Sequence, residues 1–127
     1  MNLNLKNITF VIVTFKSEKI INNCLDTLPV ECKKIIVENS NNINLESDLK
    51  SKYDNIEVII SNNVGMGAGN NIGLKACKTD YAYVLNPDTK LKKNTLKNLI
   101  YELNKIKDFT LASPVNDNPN IPNFKIF

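Results

Sequence analysis

Four short runs of aliphatic and β-branched residues punctuate this chain at intervals of about 20 to 25 residues, with segments of helical period between them. The runs are Ile8–Val13 (ITFVIV), Lys33–Glu38 (KKIIVE), Ile56–Ile60 (IEVII) and Tyr81–Leu85 (YAYVL). The first is almost continuously apolar, with little polar alternation. Such a strand is covered on both faces, which is the condition of a strand inside a parallel sheet. Parallel neighbours need a crossover, usually a helix. The gaps supply them. Ile20, Ile21, Cys24, Leu25 and Leu28 recur at helical spacing, with Ser17 placed to cap the helix and Pro29 to end it. Leu45, Leu49 and Tyr53 mark one face of a short second helix. Asn62–Gly73 opens a third, expected to run to about Lys78. Leu96, Leu99, Ile100, Leu103 and Ile106 predict a fourth over Lys92–Lys107. Phe109–Ala112 is a candidate fifth strand, and residues 113–127, rich in Pro and Asn, read as a loose tail. The pattern is α/β with a mainly parallel sheet, organised as one domain over residues 1–127.

Composition narrows the chemistry. At 43% hydrophobic and 23% charged residues, the chain is that of an ordinary globular protein. Its basic residues are all Lys, scattered rather than striped, and the net charge is only +3. A nucleic-acid binder concentrates basic charge on one face, so no nucleic-acid partner is expected. There is no His, which leaves acid–base and metal chemistry to carboxylates. Cys24, Cys32 and Cys77 are far apart and form no CxxC pair, so they read as reduced thiols of a cytoplasmic protein. The opening MNLNLKNITF lacks the apolar segment of a signal peptide, and no apolar run is long enough to span a bilayer.

In a doubly wound sheet, ligands bind outside the carboxyl ends of the strands. That rule singles out Thr14–Lys16, Glu38–Ser40, Ser61–Gly69 and Asn86–Thr89. Phe15 leaves the first strand, where an aromatic ring can stack on a base or sit in the core. Asn39 ends the second strand; its amide can both donate and accept, or simply shape a turn. All four glycines fall within NNVGMGAGNNIG, before or within the third helix. They suit close helix–sheet packing, close backbone approach to an anionic ligand, or both. Asp88 brings one carboxylate to the crevice mouth, suited to a hard divalent ion shared with phosphate oxygens, to a turn, or to a helix cap.

Together these segments resemble the amino-terminal half of glycosyltransferase family 2, over about Ile8–Pro114. VIVTFKSE is similar to a VIVTYNSE-like run, with Phe15 for Tyr. IIVENS is similar to VVDNS, with Glu38 for Asp. NVGMGAGNNIGLKA resembles the NxGfgxgxNxGl pattern of the rhamnosyltransferase-like branch, and LNPDT that branch's version of the metal-binding DxD motif. The resemblance implies a GT-A (Rossmann-like) fold, incomplete relative to a full glycosyltransferase domain. It also implies transfer of a sugar from a UDP- or dTDP-linked donor to a glycan or lipid-linked acceptor. The implied setting is bacterial surface polysaccharide synthesis, in the cytoplasm or peripheral at the inner membrane face. Thr14, Phe15, Glu18, Asn39, Asn63, Gly65, Asn71 and Asn86 are the implied donor-nucleotide residues. Among them Phe15 would stack on the base, Asn39 would meet a pyrimidine edge, and Asn63, Gly65 and Asn71 would shape the loop near the ribose and sugar-diphosphate. Asp88 would hold Mg²⁺ or Mn²⁺, with Asn86 a neutral partner. No residue matches the family's catalytic base, and the acceptor half is expected to be missing, which leaves self-association open.

Two other readings accompany this one. The first is a non-catalytic module that binds a nucleotide sugar or a partner. The second is a dinucleotide-binding oxidoreductase, suggested by the loose GxGxxxG of Gly67, Gly69 and Gly73 with Asp88 beyond it. Position counts against the second, because the glycines follow the third run while the first βα turn, TFKSE, has none.

Overall fold

The computed structural model describes residues 2–106, 108–114 and 120. After a 3₁₀ turn at Leu5–Asn7, the elements are β1 (Ile8–Thr14), α1 (Ile21–Leu25), β2 (Lys33–Glu38), α2 (Leu45–Lys50), β3 (Ile56–Ile60), α3 (Met66–Ala76), β4 (Tyr81–Leu85) and α4 (Thr95–Leu103). The four strands form one parallel sheet in the order β3-β2-β1-β4. β1 pairs on both edges and is buried at every position, which accounts for its nearly unbroken apolar sequence.

Alternate residues of the strands divide the interior into two layers. On one face Phe10, Ile12, Ile36 and Val58 meet Ile21, Cys24 and Leu25 of α1, Leu45 and Leu49 of α2, and Leu96 of α4. On the other face Val13, Ile35 and Val37 meet Ile72 and Ala76 of α3. α3 comes close because it offers hydrogen atoms where other helices offer side chains. A Cβ at Gly73 would stand 2.3 Å from Cγ1 of Val11, and one at Gly69 would stand 2.9 Å from Cγ1 of Val13. β4 is covered on one face only. Tyr83 packs its ring on Phe10 at 5.2 Å, whereas Ala82 and Val84 on the opposite face are exposed.

The structure corrects several sequence expectations. Phe109–Ala112 forms no strand; Phe109 instead stacks on Tyr81 at 5.8 Å. Ser17 does not cap α1 with its side chain. Its carbonyl accepts from the amides of Ile20 and Ile21, while its hydroxyl turns back to the Phe15 backbone. α1 is accordingly one turn shorter at its start, and Ile20 is exposed. α4 covers Thr95–Leu103 rather than Lys92–Lys107, and α3 ends at Ala76. The expected tail lies mostly outside the described residues.

Candidate functional site

The strand order fixes where a ligand can sit. From β1 the chain steps outward to β2 and β3, then returns across β1 to place β4 on the other side. The crossovers before and after this reversal lie on opposite faces, so their loops part and leave a crevice beyond the carboxyl ends of β1 and β4. β1 and β4 pair with Ile12 opposite Leu85. β1 and β4 are neighbouring parallel strands, so the loops that carry Phe15 and Asp88 leave the sheet at the same end.

Phe15 is 48% exposed, far more than its strand neighbours, and the Lys16 ammonium stands 5.6 Å from its ring centroid. Thr14 is fully buried, and its hydroxyl donates to Oε2 of Glu38 at 2.8 Å. Glu38 is buried as well; its Oε1 accepts from both the amide and the hydroxyl of Ser40. Thr14 and Glu38 therefore brace the ends of β1 and β2 and present no free polar group to a ligand. Glu18 is exposed and accepts from Nδ2 of Asn42 at 2.8 Å. A backbone hydrogen bond, then the one from Asn42, hold its carboxyl below the usual carboxylate range, and the nearby Lys16 charge acts in the same direction.

Asn39 is only 3% exposed and ties three loops together. Its amide donates to the Thr14 carbonyl, and its carbonyl accepts from the amide of Asn63, each at 2.8 Å. Its side-chain Nδ2 donates to the carbonyl of Gly65 at 3.0 Å. Oδ1 of Asn39 is the one buried side-chain polar atom without a hydrogen-bond partner among the described residues. In this conformation Asn39 organises the loops rather than facing the crevice. Asn63, with φ +40°, and Gly65, with φ +84°, bend the chain into α3. Gly65 is the residue before the helix, and the left-handed turn there is the natural place for a residue without a Cβ. Asn71 is exposed on α3.

Across the switch point, Asn86 and Asp88 are exposed in a tight turn closed by the amide of Thr89 donating to the Asn86 carbonyl at 3.1 Å. Asp88 does not cap a helix, since α4 starts at Thr95 after Asn94. Its carboxylate has no hydrogen-bond or ion-pair partner among the described residues, which leaves it free for a cation. No group of three or more His, Cys, Asp or Glu suited to a metal occurs among those residues. A divalent ion at Asp88 therefore fits only as a shared site, with the remaining oxygens coming from a phosphate ligand and water.

Backbone strain gathers at the same end of the sheet. Lys16, Asn41 and Asn63 have left-handed φ, and they follow β1, β2 and β3 respectively. Cavities of about 590 and 550 Å³ lie elsewhere, one against β4, α4 and residues 109–114, the other between Leu28, Leu91 and Leu96. Neither is lined by the loops of the crevice. From sequence, the segment Thr14–Lys16 stands out without giving Lys16 a role, although its charge at the strand end was the available signal.

The crevice and its residues can be set beside known proteins. The sequence model of the family described as Glycosyl transferase family 2 matches residues 9–125. The low-salt glycan biosynthesis hexosyltransferase Agl10 of Haloferax volcanii is 28% identical over 117 residues, covering 87% of this chain and 36% of that protein. Among solved structures, S. aureus TarS 1-349 superposes with a TM-score of 0.64 at 18% identity, covering 84% of this chain and 38% of that one. The same protein in complex with UDP-GlcNAc gives a TM-score of 0.67 at 20% identity, with coverages of 77% and 31%. At these identities the structural likeness establishes the fold, and the chain spans only about a third of the length of these relatives.

Proposed function

The chain belongs to glycosyl transferase family 2, and on that premise we propose that residues 1–127 form the donor-binding unit of a glycosyltransferase. The donor is a nucleoside-diphosphate sugar, UDP- or dTDP-linked, and the acceptor a glycan or lipid-linked saccharide, in the setting of bacterial surface polysaccharide synthesis. The observation that carries this reading is the switch-point crevice. At that end of the sheet an exposed aromatic, Phe15, follows β1 and an exposed carboxylate without a partner among the described residues, Asp88, follows the neighbouring β4. An aromatic face for the base and a cation site for the diphosphate are the two ends of one ligand. The relative solved with UDP-GlcNAc bound shares this fold, which supports the same class of ligand.

In this proposal Phe15 stacks on the base, while Thr14 acts through Glu38 by fixing the strand end that carries Phe15. Glu18 lines the β1 side of the crevice. A nucleotide that shifts the Gly65 turn would give Oδ1 of Asn39 the N–H donor it lacks, such as that of a pyrimidine edge. Asn63, Gly65 and Asn71 shape the wall near the ribose. Asp88, with the amide of Asn86 as a neutral neighbour, would hold Mg²⁺ or Mn²⁺ against the diphosphate; when bound, the ion supplies positive charge where the leaving group becomes anionic. Among the described residues no helix is long and apolar enough to cross a membrane. The proposed location is the cytoplasm or the inner face of the membrane.

A second reading, a nucleotide-sugar-binding module without catalysis, is favoured because, among the described residues, Asp88 is the carboxylate at the crevice that makes no hydrogen bond or ion pair, Glu18 being held by Asn42. Measured glycosyl transfer or donor hydrolysis excludes it. The deciding experiment is calorimetric titration of UDP, dTDP and GDP, with and without Mn²⁺, into wild type and Asp88→Ala. The expected result is metal-dependent binding of one nucleotide that Asp88→Ala abolishes. No binding to wild type by any of the three overturns the donor-site reading.

A further inference from the structure

We propose that Lys16 is a ligand-binding residue that receives the phosphate groups of the nucleotide at the switch-point crevice, an assignment that rests on the donor-site reading above. Among the described residues, five non-glycine residues have positive φ: Asn41, Asn55, Asn63, Asn94 and Lys16. Four of them are Asn, whose short polar side chain tolerates the left-handed region. Lys16, at φ +50°, is the exception. Nothing in a lysine side chain favours that backbone, so local conformation does not account for its presence. The surroundings do hold it there. The Lys16 amide donates to Oγ of Ser40 at 3.0 Å, and Ser40 is itself anchored on buried Glu38. Strain kept in place by neighbours at a strand end is a feature of binding sites.

The position suits an anion. The β1–β4 pairing brings the Phe15–Lys16 corner and the Asp88 turn to the same end of neighbouring strands, where the strand order reverses. A nucleoside diphosphate would bring negative charge to a rim that already carries Asp88 and Glu18. Within the first two residues beyond the ends of β1, β2, β3 and β4, Lys16 is the sole basic residue. Its ammonium makes no ion pair among the described residues and rests over the Phe15 ring at 5.6 Å. A cation parked on an aromatic face keeps its charge available, and the flexible four-carbon stem allows it to swing to a phosphate. Phe15 and Lys16 then divide one ligand between them, the ring taking the base and the ammonium the phosphates.

The test titrates the nucleoside diphosphate that binds wild type best among UDP, dTDP and GDP, in parallel with its nucleoside. The variants are Lys16→Asn, Lys16→Arg and Lys90→Asn, all measured with Mn²⁺ and compared at low and high salt. Lys16→Asn keeps a residue at ease with the left-handed backbone and removes the charge. It should weaken the diphosphate about 10- to 100-fold, leave the nucleoside within about twofold, and flatten the salt dependence. Lys16→Arg should stay near wild type. Lys90→Asn, which removes a lysine just past the Asp88 turn, should also stay near wild type. Unchanged diphosphate affinity in Lys16→Asn overturns the assignment. So does an equal loss for nucleoside and diphosphate, or an equal loss in Lys90→Asn. A wild type that binds no nucleotide overturns the donor site and this assignment together, whereas the other failures leave the donor site standing.

Discussion

Replacing Gly73 with alanine sets two effects of opposite sign against each other on the same helix. In helix interiors alanine is favoured over glycine by about 0.8–1.0 kcal/mol. At Gly73 the new Cβ would lie 2.3 Å from Cγ1 of Val11 and 3.3 Å from Cγ2 of Val37. The first distance is more than an ångström inside the ordinary carbon–carbon contact of about 3.5–4.0 Å. Val11 cannot yield easily, since it is β-branched and fully buried on a strand paired along both edges. Overpacking of this kind costs about 1–3 kcal/mol, and this overlap belongs at the upper end. The expected net is a loss of about 2 kcal/mol, or a melting point lower by about 8 °C. Gly67, in the first turn of the same helix, has open space where a Cβ would stand, with nothing within 4 Å, so Gly67→Ala should gain about 0.5 kcal/mol. Urea titrations followed by circular dichroism measure both. Combining Gly73→Ala with Val11→Ala should cost at least about 1 kcal/mol less than the two separate losses added together. A Gly73→Ala protein as stable as wild type, or one showing no coupling to Val11→Ala, refutes the packing of α3 on β1 described here.

Burial pushes the thiols of Cys24 and Cys32 from 9.0 up to about 11, with the Asp88 charge adding to the rise at Cys24. Their folded values exceed the unfolded ones, so the stability they contribute is present below about pH 9 and lost as pH rises towards about 11. Thermal midpoints should fall through that window more steeply in wild type than in Cys24→Ala/Cys32→Ala, and in the native protein Cys77 should react first with a thiol reagent. Lys16→Asn should raise the melting point by about 2–4 °C by relieving the left-handed strain, while weakening nucleotide binding. A variant that loses stability instead would place the strain elsewhere.

The strands were legible almost to the residue. Lys33–Glu38, Ile56–Ile60 and Tyr81–Leu85 coincide with β2, β3 and β4, because short apolar runs bounded by polar residues leave few alternatives. Helix ends were less legible. Whether Ser17 caps α1 depends on which way its hydroxyl turns, and the Phe15 backbone captures it. Phe109–Ala112 has strand-like composition, yet it joins no strand, and Phe109 stacks its ring on Tyr81. For the candidate site, the strand-end segments could be located from sequence, but the orientation of their side chains could not. Thr14 turns inward to Glu38, 24 residues away, and Asn39 to Gly65, 26 residues away. No local pattern encodes partners that distant. The weight of Lys16 emerges only when its φ is set beside those of the four Asn residues.

The hydrogen bonds of Asn39 have a mechanical consequence. One residue grips the end of β1 through Thr14, the chain beyond β3 through Asn63 and the start of α3 through Gly65. The loop after β1, Asn39's own loop after β2 and the β3–α3 loop, which could otherwise wander separately, are thereby fused into a single stiff collar. Much of the entropy cost of ordering the crevice wall is met during folding, before any ligand arrives. A disturbance at one loop is also felt by the other two, so amide exchange at Asn39, Asn63 and Gly69 should slow together when a ligand docks against any part of the collar.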